Sequence, residues 1–216
     1  MYSTSSSALS GRSLPLFLLV FAVLVSGCAH GYTGIPIQTA QYGSPSDSGP
    51  LTFEYRLNVL EASGNGGYAD KSRKKNVAPI PLRVTNNSSD PVTLHRDLLD
   101  VTSDGARPYL VPPQKAADDL GQAYGWHVLW GLLNVYYTSS SGKTTYIPVG
   151  PVISVFNIIR GATANAKLES DFEEESLYGV TVPSGATVSG LVFVADGEGQ
   201  PLEFIYRGSD ATARAR

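Results

Sequence analysis

Cys28 is the only cysteine in 216 residues, and it follows Val25, Ser26 and Gly27 at the end of a long apolar run. A cysteine thiolate is a nucleophile and can carry an attached group. With no second cysteine in the chain it cannot close an internal disulfide. The small residues before it are what a signal-processing cleft accepts, and a free thiol buried in a core would not need them. The other groups able to do chemistry are dispersed. His30, His95 and His127 stand far apart, whereas structural zinc asks for clusters of Cys or His, so no metal site is assigned. "ESDFEEES", Glu169 to Ser176, holds five acids in eight residues, but it lacks the alternating Asp order and the glycine of a calcium loop. It reads as a solvated helix face. The basic run Lys71, Arg73, Lys74 and Lys75 could touch anionic headgroups; the simpler reading is a loop kept soluble by its charge.

"SSGKTT" holds two short motifs that fail on context. Ser140-Ser141-Gly142-Lys143 has the Ser-x-x-Lys form of penicillin-binding enzymes, yet that chemistry also needs Ser-Asp-Asn and Lys-Thr-Gly partners, and only "KTT" is present. Gly142-Lys143-Thr144 has the form of a P-loop's end, but the glycine required five places earlier is Tyr137. A polar turn between two apolar segments is the better reading. No nucleophile, base and orienting group stand out together, so no catalytic residue is assigned and the expectation is that the protein is not an enzyme. Nor is a cofactor expected.

The elements around Cys28 give its chemistry a setting. The first 27 residues contain no Asp or Glu and one basic residue, Arg12, and an apolar run extends from Leu14 to Val25, broken only by Pro15. That order is the n-region and h-region of a secretory signal. The run is too short for a membrane-spanning helix, which takes ~20 apolar residues. Val25-Ser26-Gly27-Cys28 resembles the lipobox of bacterial lipoproteins: an aliphatic residue, two small ones and a cysteine. The resemblance implies cleavage between Gly27 and Cys28, diacylglycerol on the Cys28 thiol and acylation of the new amine. Two or three acyl chains anchor where one does not, each buried methylene contributing ~0.8 kcal/mol. It implies a membrane partner through that anchor and a cell-envelope location. With Ala29 rather than Asp after the cysteine, the address resembles that of an outer-membrane lipoprotein in a Gram-negative cell.

Cleavage leaves 189 residues, one ordinary domain or a domain with a large insertion. Losing Arg12 takes Lys plus Arg from 16 to 15 against 19 acids, a net charge of −4, which argues against nucleic acid as a partner. With Gly 22, Pro 14 and Tyr 12, the composition suggests a turn-rich β protein. Residues 28–50 read as a flexible tether, rich in Gly, Ser, Thr and Pro. Leu51, Phe53, Tyr55, Leu57 and Val59 alternate with polar residues, as in a half-buried strand. "SGNGG" reads as a break. A second strand places Ile80, Leu82 and Val84 on one face, with Pro79 and Pro81 requiring that it lie at an edge or start late. A third strand region ends at a turn, Asp104-Gly105. Near the carboxyl end, "TVSGLVFVAD" reads as a strand and "PLEFIYR" as its hairpin partner across "GEGQ", with Leu202, Phe204 and Tyr206 sharing a face. Residues 208–216 read as a disordered tail.

The order "PLRVTNNSSDPVTL", a "DG" turn and "VPSGATVSGLVFV" resembles immunoglobulin-like domains of bacterial surface lipoproteins. The fold class expected is therefore mainly β, an immunoglobulin-like β-sandwich over residues 51–207, with a helical, apolar insertion at 114–176 that makes it α+β overall. Within the insertion, Ala117, Leu120, Tyr124 and Val128 recur at helical spacing, and "GWHVLWGLLNVYY" predicts a helix apolar all round. "YIPVGPVISVFNII" follows the polar turn, and "ATANAKLESDFEEESL" predicts a helix capped by Gly179. An all-apolar helix must be buried somewhere, and the simpler expectation is that these runs pack on the sheet and on one another. The sharper one is an interaction face of Trp126, Trp130, Leu133, Tyr136 and Tyr137, since Trp and Tyr pair an apolar body with a polar handle. The function expected is a non-enzymatic interaction or structural role in the envelope, with an envelope protein as the possible partner. Binding an apolar ligand or membrane lipid through the insertion is the alternative, and an envelope hydrolase a weaker one.

Overall fold

The computed structural model describes residues 29–43, 45–103, 107–139, 141–197 and 199–208. Gly27, Cys28 and the signal at 1–27 lie outside these residues, as do the Asp104-Gly105 turn and all but the first residue of the 208–216 tail. The chain divides into two compact units. Residues 31–123 and 160–216 form the larger, and residues 124–159 group with those before Gly31.

Side-chain alternation organises the larger unit. Strands β3 (Val77–Asn86) and β10 (Thr187–Ala195) pair antiparallel from Thr187↔Thr85 to Ala195↔Val77. With β1 (Ser46–Ser48), β2 (Leu51–Tyr55) and β6 (Tyr109–Leu110) they form a sheet in the order β1-β2-β3-β10-β6. On β10, Leu191, Phe193 and Ala195 enter one core while Val192 and Val194 enter another, as a period of two requires. Both faces are covered, so the strand reads as a continuous apolar run.

The first core lies under helices. Tyr68 and Ala69 come from α2 (Gly66–Lys75), Ala116, Ala117 and Leu120 from α3 (Pro113–Leu120), and Ala164, Leu168 and Phe172 from α4 (Val149–Glu174). The second core lies under two small ribbons, β4 (Val92–Thr93) with β9 (Thr181–Val182) and β5 (Leu99–Thr102) with β11 (Glu203–Tyr206). Val101, Val182, Leu202 and Phe204 fill it. The fold is mixed α+β with an antiparallel sheet, as expected overall, but without the mainly β weighting of that expectation.

Several local expectations change with it. The segment read as a flexible tether is packed: Tyr32 and Ile37 are buried in the helical core, and residues 46–48 pair with β2. Asn65 holds this segment as a peptide group would, its Oδ1 accepting from Thr33 N–H at 2.8 Å and its Nδ2 donating to Thr33 O at 2.7 Å. The alternation from Leu51 ends at Tyr55, and Val59 opens a short helix, α1 (Val59–Ala62). The glycine break and basic run are mostly α2, whose buried face is only Tyr68, Ala69 and Ser72. Pro79 and Pro81 lie where β3 is paired on one side only, because the β2 ladder begins at Leu82. The Pro81 carbonyl accepts from Arg56 N–H on that open side, so no ladder donor is missing. "PLEFIYR" pairs with β5 rather than across "GEGQ", with Phe204 opposite Val101, although Leu202, Phe204 and Tyr206 do share a core. Gly179 has φ +85° but lies beyond the helix end at Glu174 and does not cap it.

The buried tyrosines make the fold sensitive to alkali. Burial pushes the phenols of Tyr32 and Tyr178 far up, the nearby Asp171 charge adding to the rise at Tyr32, and burial also raises Tyr68. Such a group stays protonated in the folded chain above pH ~10, where an unfolded tyrosine ionises, so its stabilising effect is complete below that pH and is lost as pH climbs. Unfolding free energies from urea titrations should hold between pH 8 and 9.5 and fall above pH 10, by up to about 1.4 kcal/mol per pH unit each for Tyr32 and Tyr178. Tyr178→Phe should make that fall shallower, and an equal slope in both proteins would refute the assignment.

Candidate functional site

Residues 124–159 contain one charged side chain, Lys143, and no acid, yet hold both tryptophans of the chain. The helix expected over 125–137 does not form. Tyr124–Leu132 is a run of 3-10 turns, followed by strand β7 (Val135–Thr138), paired with β8 (Thr144–Ile147). β-branched and aromatic residues favour this. Tyr136 stands opposite Tyr146, with ring centroids 5.4 Å apart, and the Tyr146 hydroxyl donates to Asn134 Oδ1 at 2.7 Å. The polar stretch forms the hairpin turn, with Ser139 N–H donating to Lys143 O at 2.9 Å and Gly142 at φ +82°. Gly142 and Lys143 of the Ser-x-x-Lys pattern lie in this turn region, and Ser140 lies outside the described residues.

The first residues of α4 close the unit. Gly150 N–H donates to Leu133 O at 2.8 Å, and a Cβ at Gly150 would stand 2.3 Å from the carbonyl oxygens of Trp130 and Leu133. Only glycine permits so close an approach. The helix is inside out over this stretch. Gly150, Ser154 and Asn157 form its buried stripe, while Val152, Val155, Phe156 and Ile159, at the i, i+3, i+4, i+7 spacing of one helix face, are exposed. Phe156 is 61% exposed and Val152 72%. From Arg160 onward the pattern reverts, burying Ala164, Leu168 and Phe172 and exposing Lys167, Glu169, Glu173 and Glu174.

Of the predicted face, Trp126 is 73% exposed, Leu133 and Tyr136 are exposed, and Trp130 is half-buried. Tyr137 is opposite Thr145 in the ribbon, its side chain outside what is described. Ile153 is half-buried. The expectation that both apolar runs are buried core is therefore corrected. Leu129, Leu132, Tyr146 and the α4 stripe enlarge the surface; the charge-free composition of 144–159 was the signal for them, obscured by reading every apolar run as core. Ala29 joins this unit too: it is buried, and its N–H donates to the side-chain Oδ1 of the buried Asn157 at 3.1 Å.

Elsewhere, an open cleft of about 400 Å³ is lined by Arg96, Asp97, Asp100 and Tyr109 among others, without His95. Asp100 pairs with Arg207, and Arg96 with Asp97 at 3.7 Å, so its carboxylates face cations, and among the described residues no Ser, Thr, Cys or His lines it. Among the described residues no three His, Cys, Asp or Glu side chains gather as a metal would require, and no helix is long and apolar enough to cross a membrane. No protein family, curated protein or solved structure matches this chain.

Proposed function

We propose that the protein is a lipid-anchored cell-envelope lipoprotein with a non-enzymatic interaction or structural role, anchored at the outer membrane if the cell is Gram-negative. The observation that carries the reading is the outward-facing, acid-free surface of residues 124–159, since monomeric soluble proteins rarely leave large apolar patches open. The lipobox-like Val25-Ser26-Gly27-Cys28 supplies the location. The scaffold of the larger unit is read as a relative of the immunoglobulin-like sandwich, supported by the second core between the five-stranded sheet and the two ribbons. Its other face is covered by helices, a departure from a two-sheet sandwich.

Radiolabelled palmitate fed to cells expressing the full chain tests the anchor. The wild type should be labelled and should fractionate with membranes, and Cys28→Ala should carry no label and keep its uncleaved signal. Equal labelling of both, or of neither, would remove the lipoprotein reading.

A further inference from the structure

We infer that residues 124–159 are a second membrane contact, entering one leaflet of the bilayer beside the acyl anchor; the placing of the anchor rests on the lipoprotein reading above. Three observations select lipid as the occupant. The first is covalent: Cys28 precedes Ala29, and Ala29 N–H is bonded to Asn157 on α4. One residue spans only ~3.8 Å, so acyl chains on Cys28 start within a few ångströms of this unit. The second is the inverted helix. A buried stripe of Gly150, Ser154 and Asn157 with Val152, Val155, Phe156 and Ile159 outside suits a helix whose solvent is hydrocarbon, where small and polar residues make the protein contacts. Val149–Ile159 rises ~16 Å, about half the ~30 Å hydrocarbon core. It ends at exposed Arg160, a residue suited to headgroups. The third is the electrostatic and aromatic character. Lys143 without any acid meets no repulsion from anionic lipids, and Trp126 with the Tyr136–Tyr146 pair are side chains enriched at the bilayer interface. The contact is one-sided, confined to a single leaflet and not crossing the bilayer.

Because both tryptophans lie in this unit, their fluorescence reports on it directly. The probe is a vesicle of phosphatidylethanolamine and phosphatidylglycerol, mixed with residues 28–216 carrying Cys28→Ser so that no acyl chain contributes. Trp emission should shift to shorter wavelength, and lipids brominated on their acyl chains should quench it. The double substitution Phe156→Asp with Ile159→Asp, at exposed positions, should leave the circular dichroism unchanged and weaken partitioning at least tenfold. Absence of any shift or co-sedimentation at saturating lipid overturns the inference. So does binding that survives the double substitution and vanishes in high salt, which would point to the basic run Lys71–Lys75. Tryptophans shielded without lipid in a sedimenting dimer would assign the face to a second copy, again overturning it. A chain that takes palmitate but fails these tests would lose this contact and keep its anchor; one that passes without palmitate labelling would do the reverse.

Discussion

Phe172→Ala should cost about 3–5 kcal/mol, the range for emptying a fully buried phenylalanine site, and so consume a large part of the ~5–15 kcal/mol that holds a domain folded. Phe172 has no exposed surface, and its ring centroid lies 4.7 Å from that of Phe193 on β10. Leu120 from α3 and Leu168, one turn back on α4, share the core. These elements are fixed by the strand ladders and by hydrogen bonds such as the Asn165 side chain's pair to Gln122, at 2.8 Å to its N–H and 2.9 Å to its O. The cavity therefore has little freedom to collapse. Trp126→Ser offers the contrast. That side chain is larger but 73% exposed, so its replacement should change stability by no more than about 0.5 kcal/mol. Urea denaturation followed by circular dichroism would read both. If Trp126→Ser proved as damaging as Phe172→Ala, the apolar surface of residues 124–159 would be core, and the functional reading would lose its support.

The same contrast explains what could be read from the chain and what could not. Alternation correctly assigned Leu51 and Phe53, and Ile80, Leu82 and Val84, to one buried side, because burying one face of a strand fixes every second residue. Alternation does not name a partner. β11 pairs with β5, a hundred residues earlier in sequence, and the nearby turn residues at 197–200 pointed instead to β10. Helix α2 escaped notice because a face of Tyr68, Ala69 and Ser72 is too sparse for a visible period, although Arg73, Lys74 and Lys75 in its last turn suit a helix carboxyl end and Asn76, with φ +52°, suits its left-handed cap. At the candidate site, Trp126, Leu133 and Tyr136, which residue type offered as a contact face, are exposed. The stripe of Val152, Val155, Phe156 and Ile159 was not legible, since such a stripe reads identically whether it faces a core or the outside. Only its exposure, with Ser154 and Asn157 turned inward, separates the two.

Gly190→Ala should destabilise the larger unit by about 3 kcal/mol, or about 6–12 °C in Tm for a domain of this size. A glycine within a strand signals that something approaches closely, and here it is the segment that follows α4. A Cβ at Gly190 would stand 2.6 Å from the Glu175 carbonyl oxygen and 2.7 Å from Leu177 Cγ. The segment cannot retreat cheaply: Leu191 N–H donates to Glu175 O at 2.6 Å, Leu177 N–H donates to Leu191 O at 2.9 Å, and Leu177 is itself buried. Ser176 thus pairs with Leu191 in parallel, alongside β10, and the added methyl would break both bonds at the point where helix and sheet are joined. Thr187→Ala is the control on the same strand, losing only an exposed 2.9 Å contact between its hydroxyl and that of Thr85, and should cost under about 1 kcal/mol. A double-mutant cycle locates the damage. Leu177→Ala relieves the side-chain contact but leaves the carbonyl in place, so a Gly190→Ala cost that shrinks in that background puts the clash on the leucine, and an unchanged cost puts it on the backbone. A Gly190→Ala protein as stable as wild type would mean that the Glu175–Leu177 segment is not held against β10, and with it would go the account of how α4 is tied to the sheet.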